Sequence, residues 1–246
     1  MTLLLTALAA VQISMAAPQP VAEIDTGKLK GELARLAWSD DGSEFYIQTV
    51  ERDRTGSPKA AHHYLVSTTS KNVKDADQEP AWAAKYWQWK SGQASPAGAS
   101  FKISVDERTE TKRAAAAPTG GDLARGGTAD PTAGSTLSDV AHAADTSQTL
   151  HIFALKVRNE TIGEWVNAPV SPGTNFSWAP APFQLLAFAR REGGPIIVLD
   201  AAGSKQELGG TKAALLPAWS SDGKRLAWIE RKGKKYQLTT SELTVQ

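Results

Sequence analysis

The stretch Ala-Trp-Ser-Ser-Asp-Gly at Ala218–Gly223 repeats, with one change, an earlier stretch Ala-Trp-Ser-Asp-Asp-Gly at Ala37–Gly42. An apolar run follows each copy, Phe45–Ile47 in the first and Leu226–Ile229 in the second, and each run leads into charged residues. A strand, a tight turn and another strand written twice are typical of a repeat architecture. The sequence therefore predicts a fold built from repeated strand units.

The Asp-Gly pairs of the two copies predict tight turns. An Asp side chain accepts hydrogen bonds from the backbone of its own turn, and Gly adopts the positive φ that such a turn requires. Asp41-Gly42 and Asp222-Gly223 superficially resemble calcium loops, but they lack the alternating oxygen ligands and terminal Glu of those loops. Turn chemistry is the favoured interpretation of both.

Two weaker copies of the repeat begin at Trp89 and Trp178, so that with Trp38 and Trp219 the chain has four Trp anchors. A second run rich in β-branched and aromatic residues follows each anchor, and these runs are His63–Ser67, His151–Leu155, Pro195–Leu199 and Lys235–Thr239. This recurrence predicts an all-β propeller with four blades. Five blades, or part of a larger ring, are the alternatives.

The chain ends before the last blade has its full number of strands, whereas Val21–Asp25 precedes the first anchor and has no blade of its own. We expect this N-terminal strand to join the last blade and so close the ring, because that pairing removes an exposed sheet edge.

The repeat resembles the WD-like propeller repeats of the TolB family, in which Pro-x-Trp-Ser-Pro-Asp-Gly precedes an apolar strand. Leu216–Trp228 matches this pattern with Ser221 in place of Pro, and the first copy has Asp40 at that position. The resemblance extends over most of residues 30–246 and implies a bacterial envelope propeller. It implies little about function, because propellers perform many unrelated functions.

The composition excludes several classes of protein. The 27 basic residues balance the 26 acidic ones, and no basic stripe argues for a nucleic-acid partner. The chain has no Cys, which excludes disulfides and thiolate chemistry. We predict no cofactor, no metal and no membrane span.

Residues 1–16 are predicted to be a secretory signal peptide. Thr2–Ile13 is apolar and uncharged, Ser14 and Ala16 are small residues placed for cleavage before Ala17, and Pro18 follows. The absence of Lys or Arg before the apolar run departs from the usual pattern. The propeller is then expected at 21–246, and the protein in the periplasm or secreted.

Residues 113–147 are rich in Ala, Gly, Thr, Ser, Asp and Pro and contain no aromatic residue. Such a composition cannot bury enough apolar surface to offset the entropy of ordering. We expect a mobile insertion that folding does not require, with a lid or partner-docking segment as the alternative.

Candidate sites are few. His62 and His63 are adjacent in a predicted strand and so point to opposite faces, and neither they nor His142 and His151 have metal-ligand spacing. The Gly-x-Ser-x-Gly elbow of the peptidases that carry TolB-like propellers is absent. These observations predict a protein that is not an enzyme.

The most conspicuous cluster contains Trp82, Tyr86, Trp87 and Trp89. Trp87 and Trp89 alternate with Gln88, which predicts one strand face, either packed between blades or exposed as a binding site. The favoured hypothesis is a non-catalytic scaffold for a protein or peptide partner. A carbohydrate or small-ligand binder using this cluster or the central channel, and an enzyme with an unrecognised site, are the alternatives.

Overall fold

The computed structural model describes residues 13–54, 57–92, 103–112, 148–157, 159–167, 174–190, 193–208 and 213–245. These residues form four antiparallel sheets arranged in a ring, a four-bladed β-propeller, which confirms the fold predicted from the repeats. Residues 1–12, most of the predicted signal peptide, and the predicted insertion at 113–147, which contains His142, lie outside the described residues.

The described residues contain sixteen strands. They are β1 Ile13–Met15, β2 Gln19–Asp25, β3 Glu32–Trp38, β4 Glu44–Arg52, β5 Pro58–Ser67, β6 Val73–Ala76, β7 Ile103–Lys112, β8 Gln148–Val157, β9 Glu160–Val166, β10 Phe176–Trp178, β11 Leu186–Phe188, β12 Ile196–Leu199, β13 Lys205–Leu208, β14 Ala214–Trp219, β15 Arg225–Lys232 and β16 Lys235–Val245. Among the described residues, a 3₁₀ turn occupies Thr26–Lys28, and helix α1 occupies Ala81–Ser91.

Each blade is a sheet of strands that are consecutive in the chain. The first contains β3 to β6, the second β7 to β9, the third β10 to β13 and the fourth β14 to β16. Strand β14 contacts both β3 and β10, so the first strands of these three blades meet at the centre of the ring. All seven residues of β11 and β12 are buried, as expected for strands covered on both faces.

The N-terminal segment completes the fourth blade. Strand β2 pairs antiparallel with β16 between Lys235 and Thr240, and β1 pairs further along the same edge, with Met15 opposite Leu243. The predicted ring closure by Val21–Asp25 is therefore confirmed. Strands β1 and β2 together form an outer strand that is interrupted at residues 16–18.

The two Asp-Gly turns have the predicted chemistry. Gly42 and Gly223 both have φ of +71°. Asp41 accepts hydrogen bonds from the Ser43 backbone N–H at 2.9 Å and from the Ser39 and Ser43 hydroxyls. These bonds lower the pKa of Asp41 to about 2, so the carboxylate that holds the turn stays ionised near neutral pH.

Asp222 is bound in the same way in the fourth blade. The Ser220 hydroxyl donates to its Oδ1 at 2.5 Å and the Lys224 backbone N–H at 3.0 Å. Partial burial opposes ionisation of Asp222, but these two hydrogen bonds and the neighbouring cations outweigh it and lower the pKa. The repeated sequence thus encodes a repeated hydrogen-bond network.

We expect Asp222→Asn to lower the free energy of unfolding by less than about 1 kcal/mol, because the Asn amide oxygen still accepts both bonds. Asp222→Ala removes the acceptor and should cost about 1–3 kcal/mol. Urea denaturation of the two variants measures the difference. Equal losses in both would contradict the assignment of this side chain to turn formation.

The Trp anchors connect neighbouring blades. The Trp38 indole N–H donates to the carbonyl of Ala218, and the Trp219 indole N–H donates to the carbonyl of Ser177. Each acceptor immediately precedes the Trp anchor of the neighbouring blade. Both indoles are buried, with 3% and 0% of Trp38 and Trp219 exposed. The Trp of the repeat therefore combines inter-blade packing with an inter-blade hydrogen bond.

The assignment of Trp89 as the anchor of the second blade was wrong. Trp89 lies in α1, and no Trp of the described second blade occupies the corresponding position at the end of a first strand. The strand predicted for Trp87 and Trp89 is likewise a helix. Ala, Lys and Gln are good helix formers, and Pro80 precedes the first turn, so local propensity outweighs the short alternation of aromatic and polar residues.

Candidate functional site

Helix α1 packs the predicted aromatic cluster against the ring. Tyr86 and Trp87 are buried, with 6% and 8% exposed, while Trp82 and Trp89 are half-buried beside the same core. The Tyr86 hydroxyl donates to the Trp219 carbonyl at 2.6 Å, and the Trp82 ring packs edge-on against Tyr46. Little of Tyr86 and Trp87 remains for a ligand to contact. Ligand binding by this cluster stays a prediction.

Lys90, in the same helix as the aromatic cluster, is a charged residue that is buried. Its side chain is 1% exposed, and Nζ donates to the Pro217 carbonyl at 2.6 Å. Nζ also lies 5.0 Å from the centre of the Trp87 ring and 5.9 Å from that of Tyr86. Burial lowers the pKa of Lys90 to about 7. The sequence alone does not distinguish this lysine, because burial is not visible in the sequence.

We expect the stability of the protein to rise with pH between 7 and 9 because of Lys90. The pKa in the folded chain lies below the ordinary value near 10.4, so the unfolded chain binds more protons in this interval. The free energy of unfolding should increase by about 2 kcal/mol from pH 7 to pH 9. At pH values well below 7, Lys90 is fully protonated in the folded chain, and burial of its ammonium group then lowers the stability by its full amount.

Denaturation of Lys90→Met across the same interval provides the measurement, and this variant should lose the rise. Lys85→Met is the matched control, because Lys85 is on the same helix with 77% of its side chain exposed. A Lys90→Met variant whose stability still rises like that of the wild type would contradict the assignment.

The described histidines His62 and His63 have different hydrogen-bond partners. The His62 Nε2 lies 3.1 Å from Glu51 Oε1, whereas the His63 Nδ1 lies 2.6 Å from the Tyr46 hydroxyl. Both border a polar cleft of about 250 Å³ beside the 3₁₀ turn. In the part of the chain that the structure describes, no three His, Cys, Asp or Glu side chains are grouped to hold a metal ion.

A more specific arrangement lies where β1 meets the third and fourth blades. The backbone N–H of Ala16 donates to the Glu242 carbonyl at 2.8 Å, and the Ser241 hydroxyl donates to the Ala16 carbonyl at 2.6 Å. The register continues with Ser14 opposite Thr244. One edge of the segment is therefore bound by β16.

The other edge of the segment is bound by a single side chain. Gln206 of β13 accepts the Met15 backbone N–H through Oε1 and donates to the Met15 carbonyl through Nε2, both at 2.8 Å. Successive residues of an antiparallel pair alternate in the direction of their backbone groups, so Met15 presents its N–H and C=O away from β16. Gln206 thus satisfies both groups of Met15 that β16 cannot reach.

The Met15 side chain packs in an apolar site. It is 6% exposed and belongs to the core cluster formed between the third and fourth blades. An adjoining cleft of about 260 Å³ has an apolar part formed by Leu185, Val198 and Leu243, and a polar part formed by Asp200 and Lys205. We call the space between Gln206 and Ser241–Val245, with this cleft, the β13–β16 groove.

The groove was not predicted from the sequence. Lys205–Leu208 is a short, polar strand in which nothing distinguishes Gln206, and Met15 was assigned to the predicted signal peptide. One available signal was the alternation of Ile13, Ser14 and Met15, which has the period of a half-buried strand.

No family model matches the chain, and no curated protein matches it either. Within the described ranges, no helix is long and apolar enough to cross a membrane.

Proposed function

We propose that the chain is a non-catalytic, exported β-propeller that binds a protein or peptide partner. The observation that carries the proposal is the β13–β16 groove, which binds the main chain of an extended segment on both edges, through β16 on one edge and through the Gln206 side chain on the other. Main-chain bonds of this kind supply affinity in peptide recognition by strand addition, and side-chain pockets supply specificity. The propeller fold is compatible with such a binding scaffold.

The exported location draws support from the sequence. The uncharged apolar run at Thr2–Ile13 and the small residues Ser14 and Ala16 are typical of a signal peptide. The resemblance of Leu216–Trp228 to TolB-like repeats is consistent with a bacterial envelope protein. The non-catalytic part of the proposal rests on the absence of recognisable nucleophile or metal motifs from the sequence.

The carbohydrate-binding alternative draws less support. Sugar sites use exposed aromatic faces, whereas Tyr86 and Trp87 of the cluster are buried and Trp82 and Trp89 pack against their neighbours.

Protein captured from an envelope extract on the exported, purified chain tests this proposal. Three baits are compared: the wild type, Gln206→Leu in the groove, and Gln88→Leu at an exposed position of α1. A partner retained by the wild type and Gln88→Leu but lost by Gln206→Leu supports binding at the groove. A parallel glycan array that gives saturable binding, with no partner captured on any bait, would overturn the proposal in favour of a carbohydrate binder.

We expect the exported protein to begin near Ala17. N-terminal sequencing of the chain recovered from the envelope fraction is the measurement. Recovery of a chain that still begins at Met1 would contradict cleavage and leave export without its sequence support.

A further inference from the structure

We propose that residues 13–16 are an internal ligand of the β13–β16 groove, and that their removal opens the groove to an extended peptide of the partner. The peptide would have an apolar side chain at the Met15 position between two small residues. This inference rests on the proposed function and specifies where and how the partner binds.

The predicted cleavage point separates the two parts of the outer strand. Residues 13–16 lie before it, and β2, which closes the ring, lies after it. Strand β2 has its own contacts, including an ion pair of 2.7 Å between Glu23 and Lys235 and burial of Ile24 to 1% exposed. Loss of residues up to Ala16 therefore vacates the groove and leaves the ring closed.

An emptied groove would expose a specific set of polar groups. The Glu242 carbonyl and the Ser241 hydroxyl would lose Ala16, and both ends of the Gln206 amide would lose Met15. An unpaired strand edge is a template for another strand, and a side-chain amide facing it adds a second, geometrically matched contact. A peptide running antiparallel to β16 would satisfy all of these groups.

The sites that hold the side chains of residues 14–16 define the class of peptide that would bind in the groove. Met15 packs in an apolar site between blades, and the adjoining cleft is lined by Leu185, Val198 and Leu243. This space accepts an unbranched or aromatic apolar side chain of at least the length of Met. Ser14 also borders the cleft and Ala16 lies against β16, so the flanking positions suit small residues.

Folding and cleavage must then follow a fixed order. A protease requires an extended, unpaired substrate, whereas the Ala16 N–H and carbonyl are both bonded to β16 in the folded chain. Processing before folding yields an open groove, and a chain that folds unprocessed fills its own groove.

Binding of a labelled synthetic peptide to the full-length chain tests the inference. The probe is fluorescein-Gln-Ile-Ser-Met-Ala-amide, in which the label caps the sequence of residues 12–16, and fluorescence anisotropy measures binding. The wild type should not bind it, because its groove is filled. Met15→Asp should bind it saturably, because a carboxylate cannot occupy the apolar site and the internal segment is displaced.

The site is identified by second substitutions in the Met15→Asp chain. Gln206→Leu should weaken binding of the probe at least about tenfold, as expected for losing two hydrogen bonds. Gln88→Leu should leave binding unchanged, and a probe with Asp in place of Met should not bind. Circular dichroism melts establish that each variant folds, and Ser14→Pro, which removes one strand N–H, displaces the segment by a second route.

Three results would overturn the inference: equal binding of the probe to the wild type and Met15→Asp, no binding to either displaced variant, or binding that ignores Gln206→Leu. Its failure is distinguishable from failure of the proposed function. If the chain captures a partner but never binds the probe, the proposed function stands and the inference about the groove fails. If the chain binds the probe but captures no partner, the inference about the groove stands and the proposed function fails.

Discussion

Trp219→Ala should lower the free energy of unfolding by about 3–5 kcal/mol, the largest effect expected of any single substitution here. Trp219 is 0% exposed and lies in the core between the third and fourth blades. Its removal leaves a large cavity between two rigid sheets, which cannot collapse together without breaking the ring. It also leaves the buried Ser177 carbonyl without the indole donor, 3.2 Å away.

Chemical denaturation of Trp219→Ala, Trp219→Phe and Trp82→Ala checks this expectation. Trp219→Phe restores most of the packing but not the hydrogen bond, so its loss should be intermediate. Trp82 is half-buried on α1 and packs edge-on against Tyr46, so Trp82→Ala should cost markedly less. Equal losses for Trp219→Ala and Trp82→Ala would mean that the position of Trp219 between two blades does not increase its contribution to stability.

Gly223→Val should lower the free energy of unfolding by about 2–4 kcal/mol, for two reasons that add. A β-branched residue is strained at the φ of +71° found at Gly223. A Cβ there would also lie 2.8 Å from Phe183 Cδ2 and 2.9 Å from Pro180 Cγ, both on the neighbouring blade. The turn of the fourth blade would have to move away from the third.

Gly233→Val separates the two reasons. Gly233 has a similar φ of +62°, but a Cβ at this position meets no atom within 4 Å. Its substitution should therefore cost only the backbone strain, about 1–2 kcal/mol. Equal falls of the urea midpoint in the two variants would contradict the expected steric overlap between a side chain at position 223 and the third blade.

Most of the features predicted correctly depend on interactions between residues close in the chain. Asp222 bonds to Ser220 and Lys224, two residues away on either side, and Gly223 needs its φ for the same turn. Such turns carry their own residue signature, so their recurrence was sufficient to predict blades. Closure by β2 followed from counting strands, because a leftover strand and an unpaired edge are both costly.

The features that were missed depend on contacts between distant residues. The side chain of Lys90 is buried against the Pro217 carbonyl, and Gln206 reaches the backbone of Met15 across 191 positions of the chain. Helix α1 is a separate case, because its residues favour a helix locally and packing against a core assembled from two other blades then buries Tyr86 and Trp87. The sequence by itself determined the Asp-Gly turns and most of the strands, since these follow from local backbone geometry, and their recurrence predicted four blades even though Trp89 is not an anchor. Only the tertiary structure decided burial and the groove, since these depend on which blades become neighbours.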